Sequence, residues 1–96
     1  MAKRSIREQS KHDELVRRVA GGYKSQGWKV AADVGGYSKP RTVYGRRPDV
    51  IATRGAKTRI VEVETKSSLP TDVGQRNAFK RFVSLNNKRR FRTRVT

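Results

Sequence analysis

The segment Thr58 to Lys66 sets two carboxylates and an ammonium at alternate positions among valines and threonine: Val61-Glu62-Val63-Glu64-Thr65-Lys66. On an extended strand residues two apart share a face, so Glu62, Glu64 and Lys66 point one way and Val61, Val63 and Thr65 the other. A second β-rich run, Pro48 to Thr53, precedes it across Arg54-Gly55-Ala56-Lys57, which predicts a hairpin. A loop of Gly55-Ala56, or of all four residues, sets Asp49 opposite Glu62 and diagonal to Glu64, with the diagonal pair roughly 7–8 Å apart at the backbone. All three carboxylates then lie on one face. An odd loop turns Asp49 to the other face unless a bulge restores it.

Such a cluster stands out against the rest of the chain. Lys and Arg number 24 against 8 Asp and Glu, a net charge of +16 over 96 residues. Leu, Ile, Val and Phe make up about a fifth of the sequence, enough for a thin core in one small domain spanning residues 1–96. Carboxylates gathered in a cationic protein are a poor way to build a fold and a good way to hold a hard cation. Oxygen ligands suit Mg²⁺, with Mn²⁺ as a substitute, and a neighbouring ammonium can orient an attacking water or offset charge on phosphorus oxygens. With no cysteine and a single histidine, disulfide scaffolds, thiolate zinc sites and a cysteine nucleophile are excluded. No apolar run approaches a membrane span, and the Met1-Ala2-Lys3-Arg4 start leads into polar residues, so a cytoplasmic protein with no membrane partner is expected. A pI near 11.5 points to nucleic acid as the partner.

Along the chain, residues 1–10 read as a flexible basic arm. Leu15, Val16, Val19, Ala20 and Tyr23 recur at helical spacing from about Lys11 to Gln26, with Gly27 as the stop. Trp28 to Val34 reads as a strand, and Gly35 to Arg47 as a long loop. Beyond the hairpin, Asp72 and Gln75 resemble a capping box opening a helix that buries Ala78, Phe79, Phe82 and Val83. Residues 86–96 are a basic edge strand or a basic tail. The predicted order is α-β-β-β-α-β, an α/β fold with a small mixed sheet flanked by helices.

Pro48-Asp49 followed by Glu64-Thr65-Lys66 resembles the signature of the PD-(D/E)xK nuclease superfamily, whose restriction-endonuclease-like core has the same element order. Glu14-Leu15-Val16, the Gly/Ser/Lys/Pro loop before Pro48-Asp49, Lys66-Ser67-Ser68 and Gln75 extend the likeness to archaeal-type Holliday junction resolvases, over about residues 10–85. The resemblance implies that Asp49, Glu64 and the Thr65 carbonyl bind metal, that Lys66 is catalytic, that Glu14 assists the metal site and that Ser67 contacts DNA. It implies a Mg²⁺-dependent endonuclease, acting as a homodimer on branched DNA. Glu62 lies outside the usual signature and is either a further ligand or the partner of an arginine. Gln75 is either a cap or a site residue.

The same residues have plainer readings. Asp49, Glu64 and Lys66 can form a surface hairpin with a cross-strand ion pair, Glu14 can pair with Arg17 or Arg18, and His12 reads as a solvated residue near the helix start. Trp28, Tyr23, Phe79 and Phe82 read as core. Tyr37 and Tyr44, interleaved with Lys39, Arg41, Arg46 and Arg47, either stack on exposed bases or pack the loop. Those cations, with Arg90, Arg92 and Arg94, read as phosphate contacts. An apolar patch for a homodimer is expected from Phe82, Leu85 and Phe91. The alternatives to a junction nuclease are a general or linear-DNA nuclease on the same core and a non-catalytic basic nucleic-acid-binding protein.

Overall fold

Ser5 and Glu8 open the first helix: the Ser5 hydroxyl accepts the Glu8 amide at 3.1 Å and the Glu8 carboxylate accepts the Ser5 amide at 3.4 Å. This reciprocal cap satisfies two donors that a helix end otherwise strands. It carries α1 over Ile6–Ser25, earlier than the apolar spacing predicts. The computed structural model describes residues 5–96, so Met1 to Arg4 of the expected basic arm lie outside the described residues. From Ile6 onward that arm is helix. Gly21 and Gly22 do not interrupt α1, and Gly27 at φ +86° turns the chain just beyond it.

The remaining elements are β1 (Lys29–Ala32), β2 (Val50–Arg54), β3 (Lys57–Glu64), α2 (Val73–Ser84) and β4 (Arg89–Val95). They form a four-stranded mixed sheet in the order β1-β2-β3-β4, antiparallel except for the parallel pair β3 and β4, and the chain is a small α/β protein. Residues 86–96 thus include an edge strand and not merely a tail. β1 is shorter than the predicted Trp28 to Val34, and β3 stops at Glu64 instead of reaching Lys66.

The hairpin has the two-residue loop Gly55-Ala56, with Gly55 at φ +59°, and pairs Val50 with Val61. Continued by one step, this register sets Asp49 against Glu62. Two apolar clusters sandwich the sheet. On one face, Val16 and Ala20 of α1 pack on Ala32, Val50, Val61 and Val63. On the other, Phe79 of α2 packs on Val43, Ile51 and Ile60, with Phe82, Val83 and Phe91 around it. Phe82 and Phe91 therefore belong to this core, and of the expected dimer patch only Leu85 is broadly exposed, at 66%. Along β3 the α2-facing residues are Ile60, Glu62 and Glu64, so the strand changes from apolar to acidic as it leaves the Phe79 cluster.

The long loop before β2 carries a small hairpin of its own. Val43 and Arg46 exchange backbone hydrogen bonds of 2.7 and 3.1 Å around Tyr44 and Gly45, whose φ angles are +51° and +74°. Two left-handed central residues make a type I′ turn, which favours Asn-Gly or Asp-Gly. A tyrosine held there costs about 1–2 kcal/mol. Among the described residues, no helix is long and apolar enough to cross a membrane.

Candidate active site

Asp49 stands immediately before β2 and is bound to β3 from both ends. Its amide donates to Glu62 Oε1 at 2.9 Å, and its Oδ2 accepts the Val63 amide at 2.8 Å. From α1, His12 Nε2 lies 3.3 Å from Asp49 Oδ1, while His12 Nδ1 lies 3.0 Å from Asp13 Oδ1. His12 is 4% exposed, so it is a site residue and not the solvated one the sequence suggested.

Glu62 is 2% exposed and its second oxygen accepts Gln75 Nε2 at 2.7 Å. The capping box expected at α2 does not form, since Asp72 at the N-cap makes no side-chain cap bond and Gln75 is spent on Glu62. Burial, with the Asp49 charge adding to it, pushes the Glu62 carboxyl up to about 9; the Asp49 amide and Gln75 work against this.

Glu64 is fully buried, at 0% exposure. Ser68 Oγ donates to its Oε2 at 2.6 Å, and Arg76 Nη1 stands 3.6 Å from its Oε1. Burial raises its pKa, and the nearby Asp72 carboxylate raises it further against the Ser68 hydroxyl and the Arg76 guanidinium. Oε1 accepts no hydrogen bond among the described residues. Such an oxygen, with the carboxylate of Asp49, is the donor chemistry a hard divalent cation prefers. Within the described residues, no three His, Cys, Asp or Glu side chains form a group able to hold a metal ion.

Of the other predicted site residues, Thr65 and Lys66 follow Glu64 directly in the chain and Glu14 stands apart. Thr65 is buried, but its carbonyl accepts the Ser68 and Leu69 amides at 3.2 and 3.0 Å, which closes a turn directly after β3. Here that carbonyl serves the turn, whereas the resemblance implies a metal-ligand role for it. Because the turn begins there, strand alternation fails at Lys66, which is exposed instead of sharing the face of Glu62 and Glu64. Glu14 is exposed and sits 3.5 Å from Arg18, outside the site. The α1 carboxylate that reaches the post-β3 turn is Glu8, which accepts Ser67 Oγ at 2.8 Å. This hydrogen bond, with the Ser5 amide, holds Glu8 below the usual carboxylate range. Ser67 is thereby engaged inside the protein.

Glu8, His12, Ser68 and Arg76 escaped the sequence reading. The first two had a signal: they continue the four-residue spacing of Val16 and Ala20 toward the start of α1, which puts all four on one helical stripe. Ser68 stood in the Lys66-Ser67-Ser68 likeness with no role of its own, and Arg76 had no signal, since its part depends on the tight turn after Thr65.

The predicted phosphate contacts are mostly exposed. Lys39, Arg41 and Arg46 are exposed, whereas Arg47 is half-buried and donates to the Pro40 carbonyl. Arg90 and Arg92 are exposed and Arg94 half-buried, and the last two line a cleft of about 260 Å³ with Arg18 and Tyr23. Tyr37 packs against the α1 core cluster, whereas Tyr44 remains 52% exposed. No known protein-family profile matches the chain, and no curated protein matches it.

Proposed function

We propose that this chain is a Mg²⁺-dependent DNA endonuclease with a restriction-endonuclease-like core, acting on branched DNA as a homodimer. The observation that carries the reading is the gathering of Asp49, Glu62 and Glu64 at one end of a central hairpin, two of them buried and raised in pKa, in a chain with only 8 acids against 24 cations. Burying carboxylates so sparsely paired works against folding, and active sites are where such costs are carried. The element order and the positions of Asp49 and Glu64 at the ends of β2 and β3 support it.

In this reading Asp49 and Glu64 would hold the cation, which would supply Lewis acidity toward a phosphodiester oxygen and make the attacking water more acidic. The chain does the rest. His12 faces Asp49 from α1, Gln75 fixes Glu62 from α2, and Ser68 fixes one oxygen of Glu64 while the other faces the Arg76 guanidinium at 3.6 Å. Lys39, Arg41 and Arg46 hold the phosphate backbone, and Lys66 supplies the ammonium from the turn after Glu64. Hydrolysis leaves a 5′-phosphate and a 3′-hydroxyl.

A second reading, a non-catalytic nucleic-acid-binding protein, is favoured by the exposed position of Lys66 and the engaged Thr65 carbonyl. Incubating a labelled four-way junction and a linear duplex with the protein, with and without Mg²⁺, separates them. Junction cleavage only with the metal supports the first reading. Equal cutting of both DNAs points to a general nuclease, and binding without cutting points to the second.

A further inference from the structure

Tyr44 occupies a position that local backbone chemistry assigns to asparagine, aspartate or glycine. It is the first central residue of a type I′ turn, at φ +51°, and half of it faces solvent. Strained, exposed aromatic residues persist where the surroundings hold them for a use. Here one guanidinium lies over the ring and two more lie over its neighbour Phe82. Arg81 lies 5.5 Å from the Tyr44 ring centre, and the ring meets Phe82 edge-on at 6.4 Å. Phe82 in turn carries Arg89 at 3.8 Å and Arg41 at 5.4 Å. The turn is also anchored beside the carboxylates, because the Arg46 guanidinium lies against Gly74, with its Nη2 3.3 Å from where a Cβ would stand, and the next residue, Gln75, donates to Glu62.

We infer that Tyr44 is a stacking platform for an unpaired nucleobase, with the exposed Arg41 and Arg81 holding the phosphates on either side. An aromatic face accepts any base, and surrounding guanidiniums supply the charge that tracks a backbone. A fully paired duplex keeps its bases stacked inside and offers Tyr44 nothing; a loop, gap or branch point does. The platform deepens the nuclease reading by naming the form of its substrate, and rests on that reading for the nucleic-acid partner.

The test exploits the turn itself. Tyr44→Asn removes the ring while suiting the left-handed position, so the thermal unfolding midpoint should hold or rise; Tyr44→Phe keeps the ring. Binding is measured in EDTA to a fluorescein-labelled duplex carrying a three-nucleotide unpaired loop and to a fully paired duplex of the same length. Wild-type protein and Tyr44→Phe should prefer the looped duplex. Tyr44→Asn should bind it between about fivefold and a hundredfold more weakly, the range one stacked base gives, with less than a twofold change on paired DNA. A Tyr44→Asn variant that keeps the preference, or loses both DNAs equally, overturns the platform. Junction cleavage together with that result leaves the nuclease reading standing. A Tyr44-dependent preference with no cleavage in Mg²⁺ overturns the nuclease reading and leaves the platform. Failure of wild-type protein to bind either DNA overturns both.

Discussion

The backbone amide of Asp49 donates to the side chain of Glu62 at 2.9 Å, so the start of β2 is positioned by a buried carboxyl of β3. Glu62 thereby has a structural part: it ties the start of β2 to the middle of β3 and, through Gln75, to α2. Its oxygens are both occupied, which separates it from Glu64, whose Oε1 takes no hydrogen bond among the described residues.

Stability should fall as pH rises, because of Glu62. Its folded-state pKa of about 9 exceeds the ordinary 4.5, so between those values the native state holds a proton the unfolded chain has released. Each pH unit in that window then lowers stability by up to about 1.4 kcal/mol. Urea unfolding in EDTA at pH 5, 7 and 9 should show the decline. Glu62→Gln, a permanently neutral replacement, should flatten it.

Asp49→Asn and Glu64→Gln should each abolish Mg²⁺-dependent cleavage while DNA binding is kept or strengthened, because a carboxylate that repels phosphate has been neutralised. Lys66→Ala should lose turnover and retain metal binding. Cleavage and gel-shift assays on one junction read both properties, and an Asp49→Asn variant that still cuts removes Asp49 from the site.

Affinity for duplex DNA should drop steeply with salt. Neutralising six phosphates gives a slope near about −5 in log K against log salt. Arg46→Ala should make the slope shallower by about one if that guanidinium meets a phosphate. A salt-independent affinity, measured by fluorescence anisotropy, would contradict the electrostatic account.

Phe79 is the fully buried centre of the α2-side core. Phe79→Ala should cost about 3–5 kcal/mol, a large share of what so small a domain commands, and calorimetry should show a lowered or absent transition.

The hairpin was legible because its register follows from loop length and a period of two, and Gly55-Ala56 met both conditions. Asp49 and Glu62 could therefore be set together from residue numbers alone. Lys66 could not, because alternation holds only while the strand lasts, and the Thr65 carbonyl turns the chain by accepting two later amides. Glu14 was assigned through its neighbours Leu15 and Val16, yet the helix begins at Ile6, and Glu8 and His12 lie on the stripe that faces the site. Ser5 and Glu8 have the spacing of a capping box, so the early start was itself written in the chain. Gln75 had the cap spacing too, and there the competing partner Glu62 won, a long-range contact that no local rule contains.

Four of the seven residues of β4 are arginine: Arg89, Arg90, Arg92 and Arg94. An outer strand offers bare backbone groups to any passing strand, and this one meets a second copy of itself with a dense row of like charge. The row is a guard against sheet-to-sheet growth, and its strength is set by the medium, because salt or a polyanion screens it. Any pairing of two copies at low salt must then use a helix, a loop or the β1 edge. Titrating the protein with nucleic acid should drive clumping near charge parity, where the guard is cancelled, and redispersal when either component is in excess.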